Sequence, residues 1–336
     1  HRELMVQLWY PATHEPNAPR AAYMPDADAV GPVLARFLGV PAVTLAPLRD
    51  FTTNAVARAP LADDGRAYPV IVLLVGIKGS YRQLHTFQVE ELVSRGYVVA
   101  ALDQPTSVAM VVFPDGREVA YDDRWDPPHS AFMDANIPYL AHDVSFTLDQ
   151  LAAIAESNHL LHGRLDLERV GIIGHSFGAV VGAEACHLEP RLRAGLLEEA
   201  FVPADVLRAG LRQPIMFFTR DEDSMRLERR TAGGWPETDI RETLDTMWAA
   251  YRQLPGDGFF VQARNMFHLD MTDAGLLAPF VPWPGLAGPI GVERAHEIVN
   301  AYSLAFFDRE LRGQPAPLLD GPPERFTEVQ FESRGS

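Results

Sequence analysis

Stretches of apolar, β-favouring residues recur along the chain, and most are continuous rather than alternating: 4–10, 69–75, 97–103, 170–174, 194–199, 214–219 and 258–264. A strand with water on one face alternates apolar and polar residues, whereas one covered on both faces has no polar side to show. Between these runs lie segments with helical spacing, at 84–95, 139–156, 177–187, 240–254 and 292–311. Strands alternating with helices predict an α/β fold with a mainly parallel central sheet, right-handed crossovers and flanking helices. With 336 residues and 47% hydrophobic content the chain can bury one large core, and a single domain over 1–336 is expected. Two segments fit the rhythm poorly: 20–66, rich in Ala and Pro, and 222–239, where Arg226-Leu-Glu-Arg-Arg230 precedes Gly233-Gly-Trp-Pro236. They read as cap-like surface excursions near a pocket mouth, or as solvated connections.

The formal net charge is −16, with no Lys/Arg cluster, which argues against nucleic acid as a partner and against an anionic membrane surface. Neutral small molecules are the expected partners, and the oligomeric state is left open. Cys186 stands alone, which excludes an intrachain disulfide and leaves too few thiolates for a structural zinc site. Its place after Ser176 on a helix reads as a packed core thiol. Of 29 basic residues only Lys78 is lysine, a skew that fits GC-rich coding and a bacterial source. No apolar run approaches the roughly 20 residues of a membrane span, so stable insertion is not expected. No signal-peptide pattern is present, but a chain opening on His1 is compatible with processing, and secreted and cytoplasmic locations both stay open.

The stretch 170–182 runs from a buried apolar strand through Gly174-His-Ser-Phe-Gly178 into a small-residue helix face. A serine on a sharp strand-to-helix turn has its hydroxyl lifted above the sheet, and the helix N-terminus offers N–H groups to a developing oxyanion. Ser176 is therefore a candidate nucleophile. It needs a base, and the base needs an orienting acid. His268, in Asn265-Met-Phe-His-Leu-Asp270 after the last of these strands, is the candidate base. The other histidines fit less well: His175 lies inside the turn, His187 ends the next helix, His159 and His162 precede the serine strand, and His296 sits in the last helix. For the acid, spacing leaves Glu198, Glu199, Asp221 and Asp223 open. The first oxyanion donor is expected from the Phe177 amide, and the second from the loop Val75-Gly-Ile-Lys-Gly-Ser80, with the Ile77 amide as candidate. Lys78 beside it reads as an exposed loop lysine or as a contact for an acidic substrate group.

Taken together, the blocks at 2–12, 97–103, 112–116, 174–178, 213–218, 267–273 and 305–311 resemble the platelet-activating factor acetylhydrolase family, plasma-type and bacterial branch, of α/β-hydrolase serine esterases. The resemblance implies the α/β-hydrolase fold, short-acyl, lipid-like or polyester-type esters as substrates, and neither metal nor organic cofactor. It also implies Glu199 as the acid, at a position where family members carry aspartate. Two further departures are Leu74-Val-Gly76 leading into the oxyanion loop and Ala179 in place of a second glycine after the nucleophile. The expectation is a serine carboxylic-ester hydrolase working through an acyl-enzyme, with a biosynthetic acyltransferase or cyclase, or a non-catalytic binding member, as alternatives.

Overall fold

The computed structural model describes residues 2–13, 16–62, 64–126, 130–157, 160–321 and 324–335. In chain order the elements are β1 (Met5–Trp9), α1 (Ala27–Leu38), β2 (Tyr68–Leu74), α2 (Thr86–Ser94), β3 (Val98–Asp103), β4 (Met110–Val112), β5 (Glu118–Ala120), α3 (Ser130–Ser157) and β6 (Leu165–His175). There follow α4 (Phe177–Leu188), β7 (Leu192–Glu198), α5 (Ala204–Ala209), β8 (Ile215–Arg220), α6 (Glu222–Ala232), α7 (Glu237–Gln253), β9 (Gly258–Ala263), α8 (Val292–Arg312) and β10 (Val329–Arg334).

The main sheet has the order β1-β3-β2-β6-β7-β8-β9-β10, parallel in its interior and antiparallel at the β1 and β10 edges. Each interior strand feeds side chains alternately to two apolar layers, as the pleat requires. On β2, Val70, Val72 and Leu74 join Val144, Leu148, Val181 and Met247 of α3, α4 and α7. Ile71 and Leu73 join Val89 of α2 and Ile298, Tyr302 and Phe306 of α8. Both sheet faces are thus covered, which is why these runs are continuously apolar. Each such Val or Leu contributes about 1.5–3 kcal/mol by leaving water.

Strand order reverses between β2 and β6: β3 lies outward on one side, and β7, β8 and β9 follow on the other. The loops leaving the two central strands therefore diverge and open a crevice at their carboxyl ends, the usual ligand position in such sheets.

Several elements exceed what the sequence signals. Residues 20–66 contain α1 and a 3-10 stretch at Ala42–Asp50, which pack into a third apolar cluster through Val30, Leu34, Leu45 and Leu48. Interspersed alanine and the internal Pro32 dilute the helical period of α1. The mixed-charge run at 222–232 is helix α6, started by Asp221, whose side chain accepts from the Ser224 amide, and ended by Gly233 in the left-handed conformation. Strand β6 begins at Leu165, earlier than its apolar run, and α3 runs from Ser130 rather than from Tyr139. Strand β10 alternates Val329 and Phe331 with polar residues, as an edge strand does, and carries no continuous apolar run.

Candidate active site

At the end of β6 the chain turns sharply into α4. Ser176 is its N-cap, with φ 55 and ψ −128, a conformation that costs a non-glycine residue on the order of 1–3 kcal/mol. The flanking glycines make that turn possible. A Cβ at Gly174 would fall 2.3 Å from the Gly178 carbonyl oxygen, and one at Gly178 would fall 2.3 Å from the Leu74 carbonyl oxygen. Helix α4 thus lies against the end of β2 at a distance that no side chain permits. Ala179 is buried in the layer that α4 shares with α3.

The loop leaving β2 faces the serine. A Cβ at Gly76 would come 3.2 Å from Ser176 Cβ, so the chain at Gly76 passes directly beside Ser176. In this loop the Lys78 amide donates to the Ser107 carbonyl and the Ser80 amide to the Ile77 carbonyl. Among the described residues the Ile77 amide has no main-chain acceptor. Phe177 occupies the first turn of α4, where amides have no partner within the helix. The Lys78 side chain is half-exposed; it pairs with Asp126 at 2.9 Å and lies over the rings of Phe37 and Tyr121.

Ser176, His268, His175, Gly76, Ile77 and Lys78 line a cavity of about 380 Å³. Its remaining walls are mostly apolar: Leu34, Phe37 and Leu38 of α1, Leu84, and Leu269, Leu277, Trp283 and Leu286 from the segment after His268. The 20–66 excursion therefore forms one wall.

Strand β7 ends in two fully buried carboxyls with different surroundings. Glu198 accepts from the Gln88 amide group at 2.9 Å; burial, helped by the charge of Glu199, pushes it up to about 8, so it is largely protonated at neutral pH. Glu199 has a left-handed φ of 59, and its amide donates to the Phe218 carbonyl. Its carboxylate accepts from the Thr219 hydroxyl, the Arg220 amide and Arg220 Nε, each at 2.7 Å. Burial alone would raise it, but the Arg220 guanidinium and His268 outweigh burial and hold it down at about 2. Glu199 Oε2 lies 3.3 Å from His268 Nδ1. Since an ionised carboxylate only accepts, Nδ1 is the protonated nitrogen and Nε2 carries the free lone pair.

His268 sits in the loop after β9. Asp270 accepts from the Phe267 amide at 2.7 Å and the Gly288 amide at 2.9 Å, which fixes the loop. The His268 side chain is 15% exposed, and burial lowers its pKa below 6.5, with Glu199 opposing in part. Two rings flank it: His175 at 4.8 Å between centroids and Trp235 at 4.9 Å.

The structure therefore brings Ser176, His268, Ile77 and Phe177 together at the crevice, and of the four candidate acids it sets Glu199 against the histidine. Asp221 caps α6, Asp223 is exposed on that helix, and Glu198 bonds to Gln88. Among the other histidines, His296 stacks on Phe87 and contacts the Thr272 carbonyl oxygen, His162 is exposed, and His187 lies near the end of α4. His159 lies outside the described residues.

Sequence reasoning missed Arg220, Glu228, Trp235 and His85. Buried Arg220 also pairs with buried Glu228 of α6, which accepts from the His268 amide at 3.3 Å. A cation ending an otherwise apolar strand is the one sequence signal for it. His85 is fully buried, with its ring 5.1 Å from that of His175.

Comparison with known proteins finds esterases and acetylhydrolases. A family model described as platelet-activating factor acetylhydrolase, isoform II, matches residues 1–120. A probable 1-alkyl-2-acetylglycerophosphocholine esterase of Arthroderma benhamiae is 24% identical over 289 residues, covering 80% of this chain and 67% of that protein. Platelet-activating factor acetylhydrolase of Gallus gallus is 20% identical, covering 74% of this chain and 63% of that protein, and the protein of Cavia porcellus 24% identical, covering 74% and 58%. Among solved structures, a ferulic acid esterase from Streptomyces cinnamoneus superposes with a TM-score of 0.76 at 30% identity, over 98% of this chain and 89% of that one.

Fold and relatives place the chain in the esterase class of α/β hydrolases. Within that class, its family-model match over residues 1–120 and its curated relatives make it similar to the platelet-activating factor acetylhydrolases. Among the described residues no helix is long and apolar enough to cross a membrane.

Proposed function

We propose that the protein hydrolyses neutral carboxylic esters through an acyl-enzyme on Ser176. The observation that carries this reading is the fully buried Glu199 carboxylate, 3.3 Å from Nδ1 of a histidine that shares its cavity with a serine on a strained turn. His268 Nε2 takes the proton from the Ser176 hydroxyl as Oγ attacks the ester carbonyl. The Ile77 and Phe177 amides stabilise the resulting oxyanion, and Glu199 stabilises the imidazolium. Collapse breaks the bond to the alcohol, which leaves with the proton from His268. Water, deprotonated by the same nitrogen, then attacks the acyl-enzyme; the bond to Ser176 Oγ breaks, Oγ takes the proton back from His268, and the acid leaves.

An apolar cavity of about 380 Å³ favours uncharged acyl or alcohol groups, from short-acyl to lipid-like or polyester-type esters. Esters of ferulic acid, the class named for the Streptomyces cinnamoneus esterase, are a further candidate. Labelling with a fluorophosphonate, compared between the wild type and Ser176→Ala, tests the reading. Labelling should vanish in the variant, and turnover of activated esters should fall on the order of 10⁵-fold. A variant that still labels contradicts it. A series of p-nitrophenyl esters of increasing chain length then defines the acyl class.

A further inference from the structure

The segment 222–239 carries a residue whose placement its charged sequence does not suggest. Gly233 ends α6 in the left-handed conformation, and a Cβ at Gly234 would lie 3.2 Å from Glu228 Cγ, so the chain folds back tightly over that side chain. Pro236 follows as N-cap of α7 and restricts Trp235 to extended backbone. The Gly-Gly-Trp-Pro run thereby turns the indole back toward the sheet. Its ring lies 4.9 Å from that of His268, at 54°, and the Arg220 guanidinium carbon is 4.9 Å from the indole centroid. One tryptophan thus touches both the candidate base and the cation that holds the candidate acid ionised.

His175, the other ring against His268, is buried, whereas Trp235 is half-buried and so stands on the solvent side. Among the described residues that line the substrate cavity, Trp235 does not appear. We propose that Trp235 is a positioning residue for the reaction at Ser176, a roof that keeps water from the His268 imidazole and from the Arg220–Glu199 pair. The inference rests on the function proposed above.

The charged and titratable groups around His268 are Glu199 of β7, Arg220 of β8, Glu228 of α6, His175 of the serine turn and, behind it, His85. Replacing Trp235 alters none of them. It removes an outer wall, and burial is the main cause of the low pKa of His268. Opening the wall admits water and frees the imidazole to leave the plane of Glu199. Small misplacements of a base are expensive in rate.

The test is the steady-state kinetics of Trp235→Leu, Trp235→Met and Trp235→Phe on p-nitrophenyl butyrate, with active sites counted by fluorophosphonate. For the non-aromatic variants kcat should fall about tenfold or more while KM stays within about twofold, and the acid limb of kcat/KM should move up toward the ordinary histidine value. Phe should recover most of kcat. Either non-aromatic variant within twofold of wild-type kcat overturns the inference, as does an equal loss with Phe; two such variants guard against one that fails to fold. Labelling that persists in Ser176→Ala overturns the inference and the functional reading together. Labelling lost in Ser176→Ala, with unaltered kinetics at Trp235, overturns the inference alone.

Discussion

Glu198 and Glu199 are neighbours in sequence, equally buried and chemically identical, yet the chambers around them differ in kind. The Glu198 chamber holds the Gln88 amide, itself bonded to Ser303, and among the described residues no cation, so burial decides and the carboxyl keeps its proton. The Glu199 chamber supplies Thr219, two donors from Arg220 and His268, and there the cation outweighs burial. The left-handed backbone at Glu199 turns its side chain out of strand alternation and toward the end of β8. Burial alone therefore does not mark the acid of such a site. In the proposed mechanism the donors assembled on the adjacent strand do.

Arg220→Met breaks this contrast most severely. It leaves the Glu199 charge buried without its partner, with a destabilisation of about 3–5 kcal/mol expected in urea unfolding. Any folded fraction should behave as if the Glu199 chamber had become a copy of the Glu198 one. A loss below 1 kcal/mol would show that the guanidinium does not hold the carboxylate.

The next effect is on pH dependence. In the proposed mechanism His268 must be neutral to accept a proton, and burial holds its folded pKa below 6.5. The acid limb of kcat/KM should therefore have its midpoint below 6.5, and activity should persist through that value as pH falls. A midpoint above 6.5 would indicate that Glu199 dominates over burial.

Stability carries a signature of its own. Glu198 titrates near 8 when folded and near 4.5 otherwise, so between these values the folded chain holds a proton that the unfolded chain has released. Stability from this group is full below 4.5 and declines as pH rises to about 8. Glu198→Gln removes that slope. Its Tm relative to wild type should climb from pH 5 to pH 8, and a constant difference would mean that Glu198 is ionised in the fold.

The chain announces its elbow more clearly than its acid, for a physical reason. Gly174 and Gly178 are required by atoms two to three ångströms from where a Cβ would sit, and so appear in the sequence as a local pattern. The doubly covered sheet is legible because both faces of β2 and β6 exclude polar residues. The position of His268 after the last parallel strand follows from order alone. The choice between Glu198 and Glu199 depends on one left-handed φ and on Arg220, twenty-one residues further on, and no spacing encodes that. Family resemblance pointed to Glu199, where pattern left four acids open. Trp235 was obscured by its charged surroundings, and α1 by alanine and proline.

The central claim is that Glu199, not its neighbour, orients the base. The most direct measurement compares kcat of Glu199→Gln and Glu198→Gln on one soluble p-nitrophenyl ester, with active sites counted. Glu199→Gln should lose on the order of 10³- to 10⁴-fold, because an amide offers no charge to the imidazolium and can impose the wrong tautomer. Glu198→Gln, which replaces a protonated carboxyl by a neutral amide of the same shape, should stay within about threefold of wild type. A collapse in the Glu198 variant with the Glu199 variant near wild type would contradict the account.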